Sequence, residues 1–411
     1  MRAQLAALAT LFVGFAGVAD AIPYFPPPQP IYEAPIDRAL ANVAAMEGVD
    51  EAQRERLMAR LNLLAYARND GTFAYLREND QLNEGGAQSC LEAARNRPMR
   101  GPDEPMPDFA PEDLCAQWSF ALGPQEETPN AVPQNLSPQA LARLEAARDH
   151  YARAIELDDS NLRARLGYAY VLDRLGEMDE ARAELRRLIA LGMPQVAGPQ
   201  SDWETHAVLT EAVAHLSHIA SSYSDRKRLR ALQKRLEQSQ PMIYVTPIVV
   251  PMRDAPFAQL VDTESDVAFD LAGTGDRRAQ GWLTPDAAWL VWDPQWRGRI
   301  SSGFDLIGQR SWSVFWNDGF EALRSLDDNG DGELTGAELD GLALWRDENS
   351  NGLSEPGEVL PANVHGVTAI ATRGATLRAG LMAAESGVHF DDGSVRPLYD
   401  WTPGLADDRI S

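Results

Sequence analysis

The period of the hydrophobic positions changes along the chain. Between residues 36 and 68 apolar residues recur at three- and four-residue intervals, and within "DEAQRERLMARLNLLAYAR" Leu57, Leu61, Leu64 and Ala65 form one stripe. That spacing predicts two helices. Helical spacing returns at Ser137, in "SPQALARLEAARDHYARAIELDDSN" and "LRARLGYAYVLDRLGEMDEARAELRRLIALG", and continues through "DWETHAVLTEAVAHLSHIASSY" and "DRKRLRALQKRLEQ". At "QPMIYVTPIVVPMRD", residues 240 to 254, the apolar residues become β-branched and are broken by proline, so a domain boundary is placed there. Short strands are expected at "DVAFDLAGTG" and "GWLTPDAAWLVWD", and a hairpin around Asp392-Gly393. Two stretches lack a period. Residues 22 to 35, "IPYFPPPQPIYEAP", are Pro-rich and predict an extended arm; the loop-rich stretch from about 78 to 135 suggests no fold.

The helical middle repeats itself. When the sequence is laid over itself at a constant offset, Ala147 falls on Ala181, Tyr151 on Leu185, Ala154 on Leu188 and Ile155 on Ile189. Ala164, Ala169, Leu172 and Gly176 place small residues where paired helices touch and a glycine at the turn. Residues 136–240 therefore resemble tetratricopeptide repeats, whose period of ~34 residues equals that offset. The first unit lacks a leading helix, because "TPNAVPQN" precedes it. Such repeats need about three units to bury a continuous core, so the helices on either side are expected to complete the stack.

Composition narrows the class of partner. The 411 residues hold 37 basic and 61 acidic side chains, a net charge of -24, which opposes nucleic acid and anionic membrane surfaces. The segment from Met1 to Ala21, with Arg2, an apolar run from Leu5 to Ala19 and Ala19-Asp20-Ala21, has the form of a signal peptide. The chain is thus expected to be exported, periplasmic or extracellular, with no membrane span after cleavage. In an oxidising compartment Cys90 and Cys115 are expected to pair. His206, Glu211, His215 and His218 share one predicted helix, a weak candidate for zinc beside the ordinary explanation of polar surface. The segment "WSVFW", 312 to 316, is expected in the core.

The most specific chemistry lies in "LDDNGDGELTGAE" and "DENSNGLSEPGE", which together carry nine acidic side chains and no basic one. A calcium loop of about 12 residues presents oxygens from positions 1, 3, 5, 7, 9 and 12 around a sharp turn at Gly 6. Asp327, Asn329, Asp331, the Glu333 carbonyl, Thr335 and Glu338 meet this pattern, with Gly332 at the turn. Asp347, Asn349, Asn351, the Leu353 carbonyl, Glu355 and Glu358 meet it again around Gly352, although Ser354 and Pro356-Gly357 depart from it and predict weaker binding. Thr335 and Glu338 also fit a helix capping box that needs no metal. "DGFEALRSL" is expected to enter the first loop as a helix, and "GAELDGLALW" to leave it as another, with Leu339, Leu342 and Trp345 on one face. Since one loop starts at Asp327 and the other at Asp347, that exit helix would be the entry helix of the second loop, giving a compact tandem unit.

Residues 265 to 372 resemble the calcium-loop modules of secreted bacterial EF-hand proteins, some of the RTX type. Two earlier turns, "DLAGTG" and "DPQWRG", have Ala272, Gln295 and Arg297 where ligands would stand and are expected to be structural only. The expected architecture is multidomain: an all-α part with tetratricopeptide-like hairpins, then a mixed β-rich domain, 241–411, carrying tandem EF-hand-type calcium loops. The expected function is a non-enzymatic, exported calcium-binding scaffold whose helical groove holds another exported protein or peptide, calcium binding at about 10⁻⁴ to 10⁻³ M in a structural role. The alternatives are a dockerin-like adhesion module that binds through the loops, and a hydrolase assembled from scattered residues.

Overall fold

The computed structural model describes residues 34–70, 120–121, 136–196, 203–237, 245–271, 277–376 and 381–404. The expected signal peptide, Pro-rich arm and cysteine pair lie outside the described residues.

The helical part is a stack. Helices α1 (Ile36–Ala45), α2 (Glu51–Asp70), α3 (Pro138–Leu157), α4 (Leu162–Leu175), α5 (Met178–Gly192), α6 (Trp203–Ile219) and α7 (Tyr223–Glu237) each pack on the next, and α2–α4 and α4–α6 also touch. The leading helix missing from the first repeat is supplied by α2, which packs along α3. Local chemistry sets the ends. Ser137 accepts the Ala140 N–H at 3.1 Å with Pro138 in the first turn, Asn161 caps α4 through Ala164 at 3.0 Å, and Gly176 ends α4 in the left-handed region, φ 84. The residues matched between the two repeats do equivalent work: Ala147, Tyr151, Ala154, Ala181, Leu185 and Leu188 are all buried. Gly167 lets α4 lie against α3, since a Cβ there would stand 2.2 Å from the Tyr151 ring.

Past residue 245 the chain forms a nine-stranded sheet ordered β5-β8-β10-β11-β1-β4-β6-β7, with β9 on β10, and a separate β2–β3 pair. Its strands are β1 (Ile248–Pro251), β4 (Ala287–Trp292), β5 (Glu333–Thr335), β6 (Leu342–Trp345), β7 (Val359–Pro361), β8 (Val367–Ala371), β9 (Ala375–Thr376), β10 (Met382–Phe390) and β11 (Val395–Asp400); β2 is Val261–Phe269 and β3 Arg278–Leu283. The sheet must curl. Laid flat, β5 and β6 would stand about 29 Å apart, whereas the chain from Thr335 to Leu342 reaches at most about 25 Å. The hairpin expected at Asp392-Gly393 is the β10–β11 turn, with Gly393 at φ 80.

Alternation along the central strands separates two cores. Ile248, Val250, Ala288, Leu290, Leu342 and Leu344 join one core that runs without a break into the helices. Val249, Trp289, Val291, Ala343 and Trp345 join a second, tryptophan-rich core under β2–β3. There Trp282 meets Trp289 and Trp345 edge to face at 5.4 and 5.6 Å, and Trp289 stacks on Trp401.

The expected helix "GAELDGLALW" does not form. A 3-10 turn, Gly336–Leu339, is followed by β6, so Leu342 and Trp345 lie on opposite sheet faces rather than on one helix face. The physical reason is that a short, continuously apolar run suits a strand buried on both faces as well as it suits a helix, and Gly341 at φ 92 ends the turn. No helix is therefore shared by the acidic loops, and the tandem unit is replaced by another symmetry. Strand β5, a 3-10 turn, Gly341 and β6 are matched in the same order by β7, a 3-10 turn, Gly366 (φ 77) and β8. Strand β5 pairs with β8 through Leu334↔Ile370, and β7 pairs with β6 through the equivalent Val359↔Trp345. The two units exchange strands reciprocally.

Buried arginines join the helices to the sheet. Arg56 donates to the carbonyls of Val314 and Phe315 at 3.2 and 2.7 Å, and Arg60 to those of Ser313 and Phe120 at 2.9 and 2.8 Å. Their targets include a strained backbone, with Trp312, Ser313 and Phe315 at φ 58, 56 and 62. Burial lowers the Arg56 pKa to about 9. The "WSVFW" segment is core, as its apolar run implied.

Candidate metal centre

The first acidic loop follows a short helix, α8 (Gly319–Arg324), whose N-cap Asp318 accepts the Glu321 N–H at 2.7 Å. The loop then closes on its own carboxylates. Asp327 accepts the N–H of Gly330 at 2.7 Å and of Gly332 at 2.9 Å. Asn329 Oδ1 accepts from Asp331 N–H at 2.8 Å, and Asp331 Oδ1 from Glu333 N–H at 2.9 Å. Glu338 ties the ends together, accepting from Asp328 N–H at 2.8 Å and Thr335 N–H at 2.9 Å.

The second loop, which connects β6 to β7, repeats this network. Asp347 accepts the Gly352 N–H at 2.7 Å, Asn349 accepts from Asn351 at 3.1 Å, and Asn351 accepts from Leu353 at 2.7 Å. Glu358 accepts from Glu348 and Glu355, both at 3.0 Å. Most of the bonds correspond position for position, despite Ser354, Pro356 and Gly357, but Asp347 Oδ1 takes the Asn351 N–H at 3.0 Å where Asp327 Oδ1 takes that of Gly330. One difference carries strain. The fourth residue is left-handed in both loops, and it is Gly330 (φ 72) in the first but Ser350 (φ 53) in the second.

Burial sorts the carboxylates. Asp327, Glu338, Asp347 and Glu358, the first and last positions, are buried; Asp331 and Glu355 are exposed. Each buried first-position Asp also has an outside donor. Trp282 Nε1–H reaches Asp347 Oδ2 at 2.7 Å from the tryptophan core, and Thr372 Oγ reaches Asp327 Oδ2 at 3.3 Å. Neither partner is legible in the sequence, because Trp282 and Thr372 lie far along the chain and carry no spacing signal. From the helical side Arg38 and Asn42 hold the exposed Asp328 at 2.7 and 2.9 Å.

As for a cation, the donor chemistry fits: each loop offers hard oxygens at the spacing calcium takes, although Asp327 Oδ2, Glu338 Oε1 and Asp347 Oδ2 already accept two donors each. The arrangement described is nevertheless no finished cage. Among the described residues no group of three or more His, Cys, Asp or Glu converges as a metal site. Instead the Asn329 amide donates to Asp331 at 2.9 Å and the Asn349 amide to Glu355 at 2.6 Å. Those amide N–H groups answer the carboxylate charge where a cation would.

The "DPQWRG" turn belongs to the same type without the ligands. Asp293 accepts the N–H of Arg297 at 3.0 Å and of Gly298 at 2.7 Å, and Asp305 takes Ser301 and Ser302 N–H at 2.7 and 3.0 Å. Burial raises the Asp305 pKa, against which the Ser301 and Ser302 hydrogen bonds act, with a smaller contribution from the Arg297 charge. The histidine set is dispersed: His206 bonds the Leu236 carbonyl at 2.7 Å, His215 is buried on Asp173 at 2.8 Å, and Glu211 accepts the N–H groups of Phe120 and Ala121.

A stack of helical hairpins fused to a curled, loop-bearing sheet defines the class: a repeat scaffold joined to a β-rich module. Comparison with known families agrees with that division. Residues 140–194 match the tetratricopeptide repeat, and residues 254–402 match the SPM domain, not an EF-hand or RTX family. Over 107 residues the chain is 32% identical to the iron-regulated protein FrpA of Neisseria meningitidis serogroup C, a stretch that is 25% of this chain and 10% of that protein. The chain therefore matches only about a tenth of that relative's length. The tetratricopeptide-like repeat marks the helical part as a surface for protein partners. No helix among the described residues is long and apolar enough to cross a membrane.

Proposed function

We propose that this chain is an exported, non-enzymatic scaffold whose helical repeats bind another exported protein and whose acidic loops, Asp327–Glu338 and Asp347–Glu358, take up calcium to stabilise the β-rich part. The observation that carries the calcium proposal is the matched hydrogen-bond network of the two loops, in which the first and last carboxylates are buried and oriented by backbone N–H groups. Bound calcium would supply positive charge to carboxylates that otherwise repel one another. The residues themselves do the rest: Asp327 and Asp347 fix the turn at Gly332 and Gly352, and Glu338 and Glu358 close the loops beside β5 and β7.

Terbium, a calcium substitute, tests the proposal through Trp282. This indole is hydrogen-bonded to Asp347, so an ion in the second loop should be sensitised by it. Excitation of tryptophan in the full chain should give terbium emission that calcium competes away, and Glu358→Gln should lower it more than Glu338→Gln. Absence of sensitised emission at saturating terbium contradicts the proposal.

A further inference from the structure

The last helix of the stack, α7, departs from the charge of the whole molecule. It carries Arg226, Lys227, Arg228, Arg230, Lys234 and Arg235 against Asp225 and Glu237, in a chain of net charge -24. Leu229 and Leu236 are buried and Leu232 packs partly against the core, which fixes the inward face on α6. At about 100° per residue, Tyr223, Lys227, Arg230 and Lys234 fall within about 60° of one another on the opposite side. All are exposed, Tyr223 at 71%.

A solvated helix face ordinarily mixes signs, and the neighbouring helices do. On α5 Arg182 pairs with Asp179 at 2.8 Å and Arg186 with Asp225 at 3.4 Å; on α3 Arg153 pairs with Glu156 at 3.1 Å. On α7 Lys227 and Arg230 have no acidic partner among the described residues, and Lys234 stands three residues before Glu237. The three stand at i, i+3 and i+7, where like charges on one face oppose helix formation. The chain has acids in excess, so three basic residues on one helix face, running from an exposed tyrosine to the terminal Glu237, are not a by-product of composition.

We propose that this stripe docks an acidic helical segment of a partner protein, its carboxylates repeating at i, i+3 or i+4, and i+7 to face Lys227, Arg230 and Lys234 along ~10 Å, with an apolar side chain on Tyr223. The inference deepens the scaffold reading and rests on it. A short peptide fits better than a membrane or nucleic acid, because long-range repulsion by the net charge grows with the charge of the partner.

The test is fluorescence anisotropy with the full chain and a labelled helix-forming peptide carrying Glu at those spacings, beside the same peptide with Gln. Wild type should prefer the Glu peptide and lose it with rising salt. Lys227→Glu, Arg230→Glu and Lys234→Glu together should lower the affinity by about tenfold or more, since each exchanges attraction for repulsion. Tyr223→Ala should weaken binding of both peptides, and circular dichroism should report unchanged helix in every variant. Equal binding of Glu and Gln peptides, or of wild type and the triple variant, overturns the stripe yet leaves the scaffold reading standing. Binding to phosphatidylglycerol vesicles without binding to the peptide overturns the peptide partner in favour of a membrane.

Discussion

Asp400 should make stability depend on pH, and the direction follows from its burial. It ends β11, is only 6% exposed, and accepts the Gly319 N–H at 2.9 Å where α8 begins. Burial is the largest influence on its carboxyl and, with the charge of Asp318, outweighs that hydrogen bond, raising its pKa from 3.8 to about 7. A folded-state pKa above the unfolded one means that the folded chain holds the proton more tightly, so this stability is fully present below pH ~4 and is lost as pH rises through ~7. A shift of about three units corresponds to at most ~4 kcal/mol. Asp400→Asn keeps an acceptor for Gly319 and removes the titration. Urea unfolding of both proteins at intervals from pH 4 to 8 should show the variant gaining on wild type as pH rises, by up to ~4 kcal/mol at the alkaline end. A difference that stays constant across that range refutes the reasoning, whatever its absolute size.

Three further outcomes are expected. Gly167→Ala should cost about 2 to 3 kcal/mol in urea unfolding, because its Cβ meets the Tyr151 ring, and Tyr151→Leu in the same chain should recover part of the loss; a neutral Gly167→Ala would show that α3 and α4 are not so closely packed. Arg60→Met leaves the Ser313 and Phe120 carbonyls without that donor, for a loss of about 3 kcal/mol, and should speed proteolysis near residue 313; unchanged cleavage would deny the arginine its role in holding that backbone. Trp282→Phe removes a donor to Asp347 and should weaken calcium in the second loop by about tenfold in calorimetry, with the first loop unaffected; a loss at both loops would count against separate sites.

Legibility followed the range of the interactions. The helices and the tetratricopeptide-like repeat could be read because their period is local, and so could the turns at Gly332, Gly352 and Gly393, where the backbone requires a left-handed residue. "GAELDGLALW" misled because Leu339, Leu342 and Trp345 satisfy helical spacing while "LALW" also satisfies a strand packed on both faces; only the pairing with β4 and β7 decides between them. The strand exchange left faint marks in the sequence, Ala337 with Ala362 and Gly341 with Gly366, too few to stand out without coordinates. That flanking helices complete the stack was expected from the sequence, but which helix leads the first repeat was not, because a long stretch of chain separates the end of α2 at Asp70 from the start of α3 at Pro138. Within the loops the spacing of the acidic and amide side chains was legible, whereas Trp282, Thr372 and Arg38 reach them from distant elements.

Calcium uptake by the two loops is tested most directly by calorimetric titration of calcium into the full chain, paired with thermal unfolding at the same calcium concentrations. Two ions should bind, with the melting temperature rising as calcium approaches about 1 mM, and one ion should be lost in each of Glu338→Gln and Glu358→Gln. No heat of binding and no change in melting temperature over that range would contradict calcium uptake, leaving the two loops as turns closed by Asn329, Asn349 and the backbone N–H groups alone.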